Sequence, residues 1–194
     1  MIRVMITAGG AFLATNMDDL LLLIMFAGSA KTKRQWRAVI WGQLSGIVTL
    51  IAVSWLLSFG LMKFAPSWIS LLGIIPIAVG VLDLWHERHG WAEAPELKQA
   101  KVRAVSVPLV WSVTVGDGGD NLSVYIPLFA KQTAADMTMT IAIFFMLTIA
   151  WLWLGRRLAQ TKVAVVIVER FSTWLMPALL ILVGSVILWH GFIH

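Results

Sequence analysis

Long runs of apolar residues alternate with short polar clusters along most of the 194 residues of the chain. The hydrocarbon core of a bilayer is about 30 Å thick, and a helix needs about 20 mostly apolar residues to cross it. The runs do not alternate in polarity as the strands of a membrane barrel do. The pattern therefore predicts an all-α integral membrane protein. Its six transmembrane helices, called spans one to six below, lie at roughly 4–27, 38–62, 68–85, 104–129, 137–154 and 171–189.

The connections between spans are short, except for the charged segment 86–103. Segment 155–170 has the pattern of a basic turn followed by an amphipathic surface segment. Eleven or twelve Lys and Arg residues lie in the loops after spans one, three and five, against Arg3, Lys63 and Lys131 on the other side. Positive loops remain in the cytoplasm. We therefore expect a multi-pass protein of the cell (plasma or inner) membrane with both termini outside the cytoplasm.

The second half of the chain repeats features of the first. Segment 80–86 (GVLDLWH) near the end of span three matches 184–190 (GSVILWH) near the end of span six at an offset of 104. Segment 16–20 (NMDDL) in span one resembles 119–122 (GDNL) in span four, in a register uncertain by one or two residues. Three spans per half is an odd number, so the halves insert with opposite polarity. The predicted organisation is two inverted three-helix repeats, at 1–85 and 104–194, joined by a cytoplasmic charged loop at 86–103.

Composition narrows the class of protein. Apolar residues make up 59% of the chain and charged residues 13%, about half of the charged fraction of a soluble domain. The chain has no cysteine, which excludes disulfides, thiolate metal ligands and a cysteine nucleophile. The net charge of +5 lies in loops between apolar spans, where anionic headgroups and topology explain it. We therefore expect no nucleic-acid partner.

Four aspartates lie near the middle of spans one and four, where each costs about 2.5–3.5 kcal/mol on insertion scales. Asn16 and Asp19 are three residues apart and share one helix face, and three polar residues of span four share another in the same way. If the two faces meet between the repeats, carboxylate and amide oxygens surround one point, which is a site for a divalent cation. The predicted metal-binding residues are Asn16, Asp18, Asp19, Asp117, Asp120 and Asn121.

Glycines accompany the acidic residues of span four. Gly116, Gly118 and Gly119 can let the helix unwind and expose carbonyl oxygens as further ligands, or let another helix approach closely. We favour a functional break, because the acidic residues are interleaved with the glycines. For Gly42 and Gly46, a GxxxG pair in span two, we favour close helix packing.

Crowded carboxylates also suggest how transport is driven. Several acids in a low-dielectric site cannot all ionise without a cation, so metal binding would expel protons and metal release would readmit them. The chain has no G-x-x-x-x-G-K-[ST] motif for ATP. We therefore expect a secondary transporter working by proton antiport, not an enzyme, with no resident cofactor. Its expected partners are the divalent cation, protons and the lipid bilayer, and a homo-oligomer is left open.

Two segments carry a family resemblance: ATNMDDLLLLIMF in span one and GDGGDNLSVYIPLF in span four. They resemble the paired motifs of the cadmium resistance transporter family, which belongs to the lysine exporter superfamily. GQLSG, LLGIIPIAVG and VERFSTWLMPALLILVG are similar to that family too, so the resemblance covers nearly the whole chain. It implies a six-span exporter that confers resistance to cadmium, and to zinc as a further candidate. The residues that match the family motifs are Asn16, Asp18, Asp19, Gly119, Asp120, Asn121 and Tyr125.

One departure from that family and three alternatives remain. Some members carry a cysteine just before the second motif, where this chain has Asp117, and a carboxylate favours harder ions such as Mn²⁺ or borderline Zn²⁺ over Cd²⁺. Export of a divalent metal is therefore a broader expectation than export of cadmium. An amino-acid exporter of the same superfamily and a passive channel are alternatives. An intramembrane aspartyl protease is a third, although span four does not contain the G-x-G-D motif of those enzymes.

Overall fold

The computed structural model describes residues 1–61, 71–88, 105–161 and 177–189. This part of the chain is helical apart from short connections, in agreement with the predicted all-α class. It holds eight helices. These are α1 Ile2–Thr15, α2 Met17–Ser29, α3 Lys33–Leu61, α4 Ile74–Arg88, α5 Val107–Gly116, α6 Gly119–Ala130, α7 Ala134–Leu158 and α8 Pro177–Trp189.

Two helices are long and apolar enough to cross a membrane unaided. They are α3, with 28 qualifying residues, and α7, with 25, and they correspond to predicted spans two and five. Helices α1 and α2 meet the same criterion together, as a pair bent by 57°. They correspond to span one, which the hydropathy pattern had presented as one continuous helix. Within the described residues, length and composition therefore support two membrane crossings, or three with the bent pair.

The other predicted spans are shorter in the structure. Span four is divided into α5 and α6, which are 10 and 12 residues long. Helices α4 and α8 match the C-terminal parts of spans three and six, whose predicted beginnings lie outside the described residues. Most of the loop 86–103 and most of segment 155–170 also lie outside them. The predicted total of six crossings thus stays a prediction.

Polar side chains and glycines account for the two helix breaks. At Asn16, both the backbone N–H and the side-chain Nδ2 donate to the carbonyl oxygen of Phe12, each at 2.9 Å. A side chain that bonds the backbone in this way competes with helix continuation. The break between α5 and α6 falls at Asp117 and Gly118, where three glycines disfavour a helix. The predicted break in span four is therefore confirmed as a structural feature.

Helices from the two halves of the chain pack on each other. Helices α1 and α2 pack on α7, whereas α5 and α6 pack on α3. An aromatic cluster joins α1, α6 and α7: the ring of Phe144 lies 4.5 Å from that of Tyr125 and 5.9 Å from that of Phe12, between centroids. All three rings are buried. This cluster fixes the two broken helices relative to each other.

The GxxxG pair of span two lies in a helix interface, as predicted. Gly42 of α3 packs on Val110 of α5, and Gly46 packs on Thr114 one turn further along. A Cβ atom on either glycine would overlap the side chain opposite. The two backbones can approach this closely only because both positions lack a side chain.

Helices α4 and α8 also cross at glycines. A Cβ atom on Gly73 or on Gly184 would lie 2.5 Å from the carbonyl oxygen of the other residue, and one on Gly80 would lie 2.6 Å from that of Pro177. The offset of 104 found in the sequence converts 73 into 177 and 80 into 184. A shift of 104 residues therefore turns the contact of Gly73 with Gly184 into the contact of Pro177 with Gly80, and the reverse.

Candidate functional site

The breaks in spans one and four lie side by side. Asn16 Nδ2 donates to Asn121 Oδ1 at 3.2 Å and to Tyr125 Oη at 2.9 Å. The hydroxyl of Thr15 donates to the same Tyr125 oxygen at 3.2 Å. These four polar side chains are buried. The structure thus brings together two of the predicted metal-binding residues, Asn16 and Asn121, one from each half of the chain.

The predicted acidic residues lie at the beginnings of the second half-helices. Asp18 and Asp19 are in the first turn of α2, Asp120 is in the first turn of α6, and Asp117 lies in the break before it. The first turn of a helix has unpaired N–H groups and the positive end of the helix dipole, which stabilise carboxylates there. The local fold therefore offsets part of the cost of these charges in an apolar span.

The helices α2 and α6 begin at comparable places in the two acidic motifs. Aligned at their starts, Met17 of α2 corresponds to Gly119 of α6 at an offset of 102, whereas the ends of the same helices, Ser29 and Ala130, differ by 101. The offset of 102 pairs Asp18 with Asp120, which are both half-buried. It also pairs Asp19, which is 3% exposed, with Asn121, which is 2% exposed. In the alignment by helix starts, each helix thus has in its first turn a half-buried aspartate followed by a buried polar side chain.

Asp19 and Asp120 have different hydrogen-bond partners. Asp19 Oδ2 accepts a hydrogen bond of 3.3 Å from Gln43 Nε2 on α3. Asp120 Oδ1 accepts one of 2.7 Å from the backbone N–H of Asn121, in its own helix. Asp117 is exposed at the break. Asp19 is thus held by another span, whereas Asp120 is held by its own first turn.

The four carboxylates are close enough to repel one another. Asp19 experiences the charges of Asp117 and Asp18, and Asp120 experiences those of the other three. In the described ranges, however, no three Asp, Glu or His side chains are grouped closely enough to hold one metal ion. The acidic residues therefore surround the junction of the two breaks without forming a closed cage in this conformation.

One buried oxygen beside the acids has no hydrogen-bond partner within the described residues. It is Asn16 Oδ1, whose neighbouring Nδ2 makes the contacts described above. Buried polar atoms are nearly always satisfied, so an exception calls for a functional explanation. An amide oxygen in this position is a suitable ligand for a cation.

The glycines of span four have two different roles. Gly118 packs against Leu50 of α3, where a Cβ atom would overlap the leucine side chain. Gly116 and Gly119 face open space, with nothing within 4 Å of an added Cβ. Close packing thus explains the middle glycine. Close packing does not require the outer two within the described residues.

Gln43 and Thr114 belong to the site, although the sequence pattern did not predict them as site residues. Gln43 bonds Asp19 and also accepts a hydrogen bond of 2.8 Å from the Thr114 hydroxyl. In the sequence, Gln43 stands in the GQLSG segment beside the two glycines that predict close helix packing. A glutamine in the middle of an apolar span is itself a signal of function, because polar groups are costly there.

The tryptophan of α7 at position 151 supports the break at Asn16. Its indole Nε1 donates to the Asn16 carbonyl oxygen at 2.7 Å, and its ring meets that of Phe12 edge-on at 5.6 Å. We expect Trp151→Phe to lower the free energy of unfolding by about 1 kcal/mol, since it removes one hydrogen bond and keeps an aromatic ring. Thermal unfolding in detergent measures this. The exposed Trp153 supplies the control, and equal losses from Trp151→Phe and Trp153→Phe would contradict the role of the hydrogen bond.

Comparison with known proteins matches most of the chain to one family. A family model described as cadmium resistance transporter matches residues 12–192 of the chain. That range includes both helix breaks and all of the predicted metal-binding residues. No curated protein and no solved structure matches the chain.

Proposed function

The chain belongs to the cadmium resistance transporter family, and from this premise we propose that it exports a divalent heavy-metal cation across the cell membrane by secondary transport. Membership and the apolar helices make it a membrane transport protein that acts on a metal cation. The proposal adds the direction, the driving ion and the site. The observation that carries the site is the direct contact between two broken spans, with carboxylates in the first turn of each second half-helix.

The packing of the spans supports two inverted repeats. Span one packs on span five, and span four packs on span two. In an inverted repeat, span one corresponds to span four and span two to span five. This correspondence turns the pair of spans one and five into the pair of spans four and two. The crossing of spans three and six is converted into itself, because its two glycine contacts exchange at an offset of 104. Secondary transporters with inverted repeats bind their substrate at the repeat interface, near the midplane, on discontinuous helices.

The proposed ligands are oxygens from both repeats. Carboxylates of Asp18, Asp19, Asp117 and Asp120 supply the negative charge, and the unpartnered Asn16 Oδ1 supplies a neutral ligand. The C-terminal ends of α1 and α5 direct carbonyl oxygens to the same breaks, as half-helix ends do at other cation sites. A hard, all-oxygen set of this kind accepts Zn²⁺ or Mn²⁺ as well as Cd²⁺. Loading the ion would draw the acids together from the separated positions described above.

Proton antiport follows from the mutual repulsion of the acids. When a divalent cation leaves, several carboxylates remain in a low-dielectric site, and proton uptake relieves their repulsion. When the next cation binds, the protons leave. In the proposed orientation the loops after spans one, three and five face the cytoplasm and both termini lie outside, in agreement with the distribution of Lys and Arg.

The proposed function predicts metal flux coupled to protons. Purified protein in proteoliposomes, with a pH-sensitive dye in the lumen, is supplied in turn with Cd²⁺, Zn²⁺, Mn²⁺ and Mg²⁺. We expect Cd²⁺ or Zn²⁺ to cross with protons moving the other way, and a proton ionophore to abolish the pH change without stopping metal entry. Protein-free liposomes are the control.

Two results of this assay would contradict the proposal in different ways. Metal flux with no proton movement would indicate a passive channel. Absence of flux with all four cations, together with uptake of a labelled amino acid such as lysine, would indicate an amino-acid exporter of the same superfamily. The four carboxylates would then need a different explanation.

A further inference from the structure

A buried glutamine links the acidic site to the helix before the second break. Gln43 of α3 donates from Nε2 to Asp19 Oδ2 at 3.3 Å and accepts at Oε1 from the Thr114 hydroxyl at 2.8 Å. Asp19, Gln43 and Thr114 are each at most 3% exposed. Three predicted spans, one, two and four, therefore meet in one chain of hydrogen bonds.

The glycine pair of α3 makes this chain of hydrogen bonds geometrically possible. Gly42 and Gly46 bracket Gln43, and both lie against α5 without room for a Cβ atom. The methyl group of Thr114 packs over Gly46, while its hydroxyl reaches Gln43. Close approach of the two backbones thus places a hydroxyl next to a buried amide, in addition to packing the helices.

We propose that Gln43 is a positioning residue that presents Asp19 to the transported cation, and that the Thr114 hydroxyl fixes the orientation of the Gln43 amide. This proposal rests on the proposed function. An amide has one donating and one accepting side. An ionised carboxylate only accepts, so the amide nitrogen faces Asp19 and the amide oxygen accepts from the Thr114 hydroxyl. A neutral donor also holds Asp19 and leaves its negative charge available to a cation. A lysine or arginine in the same place would neutralise that charge.

The arrangement distinguishes Asp19 from its neighbour Asp18. The two side chains are adjacent in the first turn of α2 and have the same charge. Of these two aspartates, Asp19 is the one that is fully buried, and among the described residues it accepts a hydrogen bond from Gln43 of span two. Binding of a cation by Asp19 therefore affects the contact of spans two and four, whereas Asp18 lies half-buried beside it.

A pair of Thr114 variants separates positioning from packing. Thr114→Val keeps the methyl group over Gly46 and loses the hydroxyl, whereas Thr114→Ser keeps the hydroxyl and loses the methyl group. In the proteoliposome assay with Cd²⁺, we expect Thr114→Val to raise KM by about three- to tenfold. Thr114→Ser is expected to remain within about twofold of the wild type. If Thr114→Ser is the more impaired of the two, the residue acts through packing and the proposal is wrong.

Gln43 itself is tested with Gln43→Met, which keeps an unbranched side chain of similar length and removes the donor. We expect KM for Cd²⁺ to rise about tenfold or more, because the lost hydrogen bond is to a charged group. Ser45→Ala is the control in the same helix, since the Ser45 hydroxyl donates only to the Gly42 carbonyl oxygen of its own helix. A wild-type KM in Gln43→Met would overturn the proposal.

A second measurement does not depend on transport. In a double-mutant cycle, Gln43→Met and Asp19→Leu are combined, and thermal unfolding of the full-length protein in detergent is compared with that of each single variant. We expect the losses to be non-additive, because the two residues share one hydrogen bond. Additive losses would overturn the positioning role whatever the flux assay shows. Non-additive losses together with a wild type that moves no divalent cation would instead contradict the proposed function.

Discussion

The Asp120→Asn variant is expected to lose metal transport while it still folds and inserts into the membrane. Asp120 lies in the first turn of α6, beside the junction of the two breaks, and it interacts electrostatically with the other three aspartates. Asparagine keeps the shape and one acceptor oxygen for the Asn121 N–H but removes the charge that a divalent cation needs. Insertion becomes easier, because a charge in the apolar span is lost.

We expect the loss of Cd²⁺ flux to exceed about 100-fold, since even outer-shell partners of metal ligands contribute about 10–100-fold. Flux is measured in proteoliposomes that contain equal amounts of each variant. Asp136→Asn is the matched control, because Asp136 is half-buried in the first turn of α7, away from both breaks, and its side chain bonds only Thr133. Flux at the wild-type level in Asp120→Asn would remove this residue from the site.

The Gly184→Val variant is expected to be strongly destabilised. Gly184 lies against the carbonyl oxygen of Gly73 and against Ile77, so a side chain would have to separate α4 from α8. The opposing atom is part of the backbone, which cannot rotate out of the way as a side chain can. Overpacking of this kind costs about 1–3 kcal/mol or more. Gly73→Val is expected to have the same effect, because each glycine blocks the other.

Thermal unfolding in detergent, with the yield of monodisperse protein, measures this loss. Gly10→Val in α1 is the control, since nothing lies within 4 Å of a Cβ atom added there. We expect that variant to be about as stable as the wild type, because valine is a better helix former than glycine. A Gly184→Val protein as stable as Gly10→Val would mean that α4 and α8 do not cross at these glycines.

Several features of the fold and site follow from local sequence alone. The apolar runs predict membrane helices because lipid must solvate them wherever they pack. The glycines of span four predict the break between α5 and α6, because glycine disfavours a helix in any surroundings. The acids at midspan predict a functional site because of their cost in lipid. Family membership also follows from these segments, since the motifs lie within contiguous stretches.

Other features depend on tertiary contacts. The hydropathy of span one shows one continuous run, yet the helix bends by 57° at Asn16. The polar atoms freed there are bonded by Trp151 and Tyr125, which lie more than 100 residues away. Asp18 and Asp19 are equivalent in sequence, and only packing against α3 buries the second of them beside Gln43.

The alignment of the two predicted repeats depends partly on the sequence and partly on the tertiary structure. The sequence by itself predicts that the halves correspond, because glycine, leucine, tryptophan and histidine recur at an offset of 104 in spans three and six. It left spans one and four uncertain, since two short acidic motifs can be aligned in several ways. The structure adds the helix boundaries there, which differ by 102 at the starts of α2 and α6 and by 101 at their ends. A helix boundary depends on which backbone groups find partners, and the Asn16 carbonyl oxygen before α2 accepts a hydrogen bond from Trp151 of another helix.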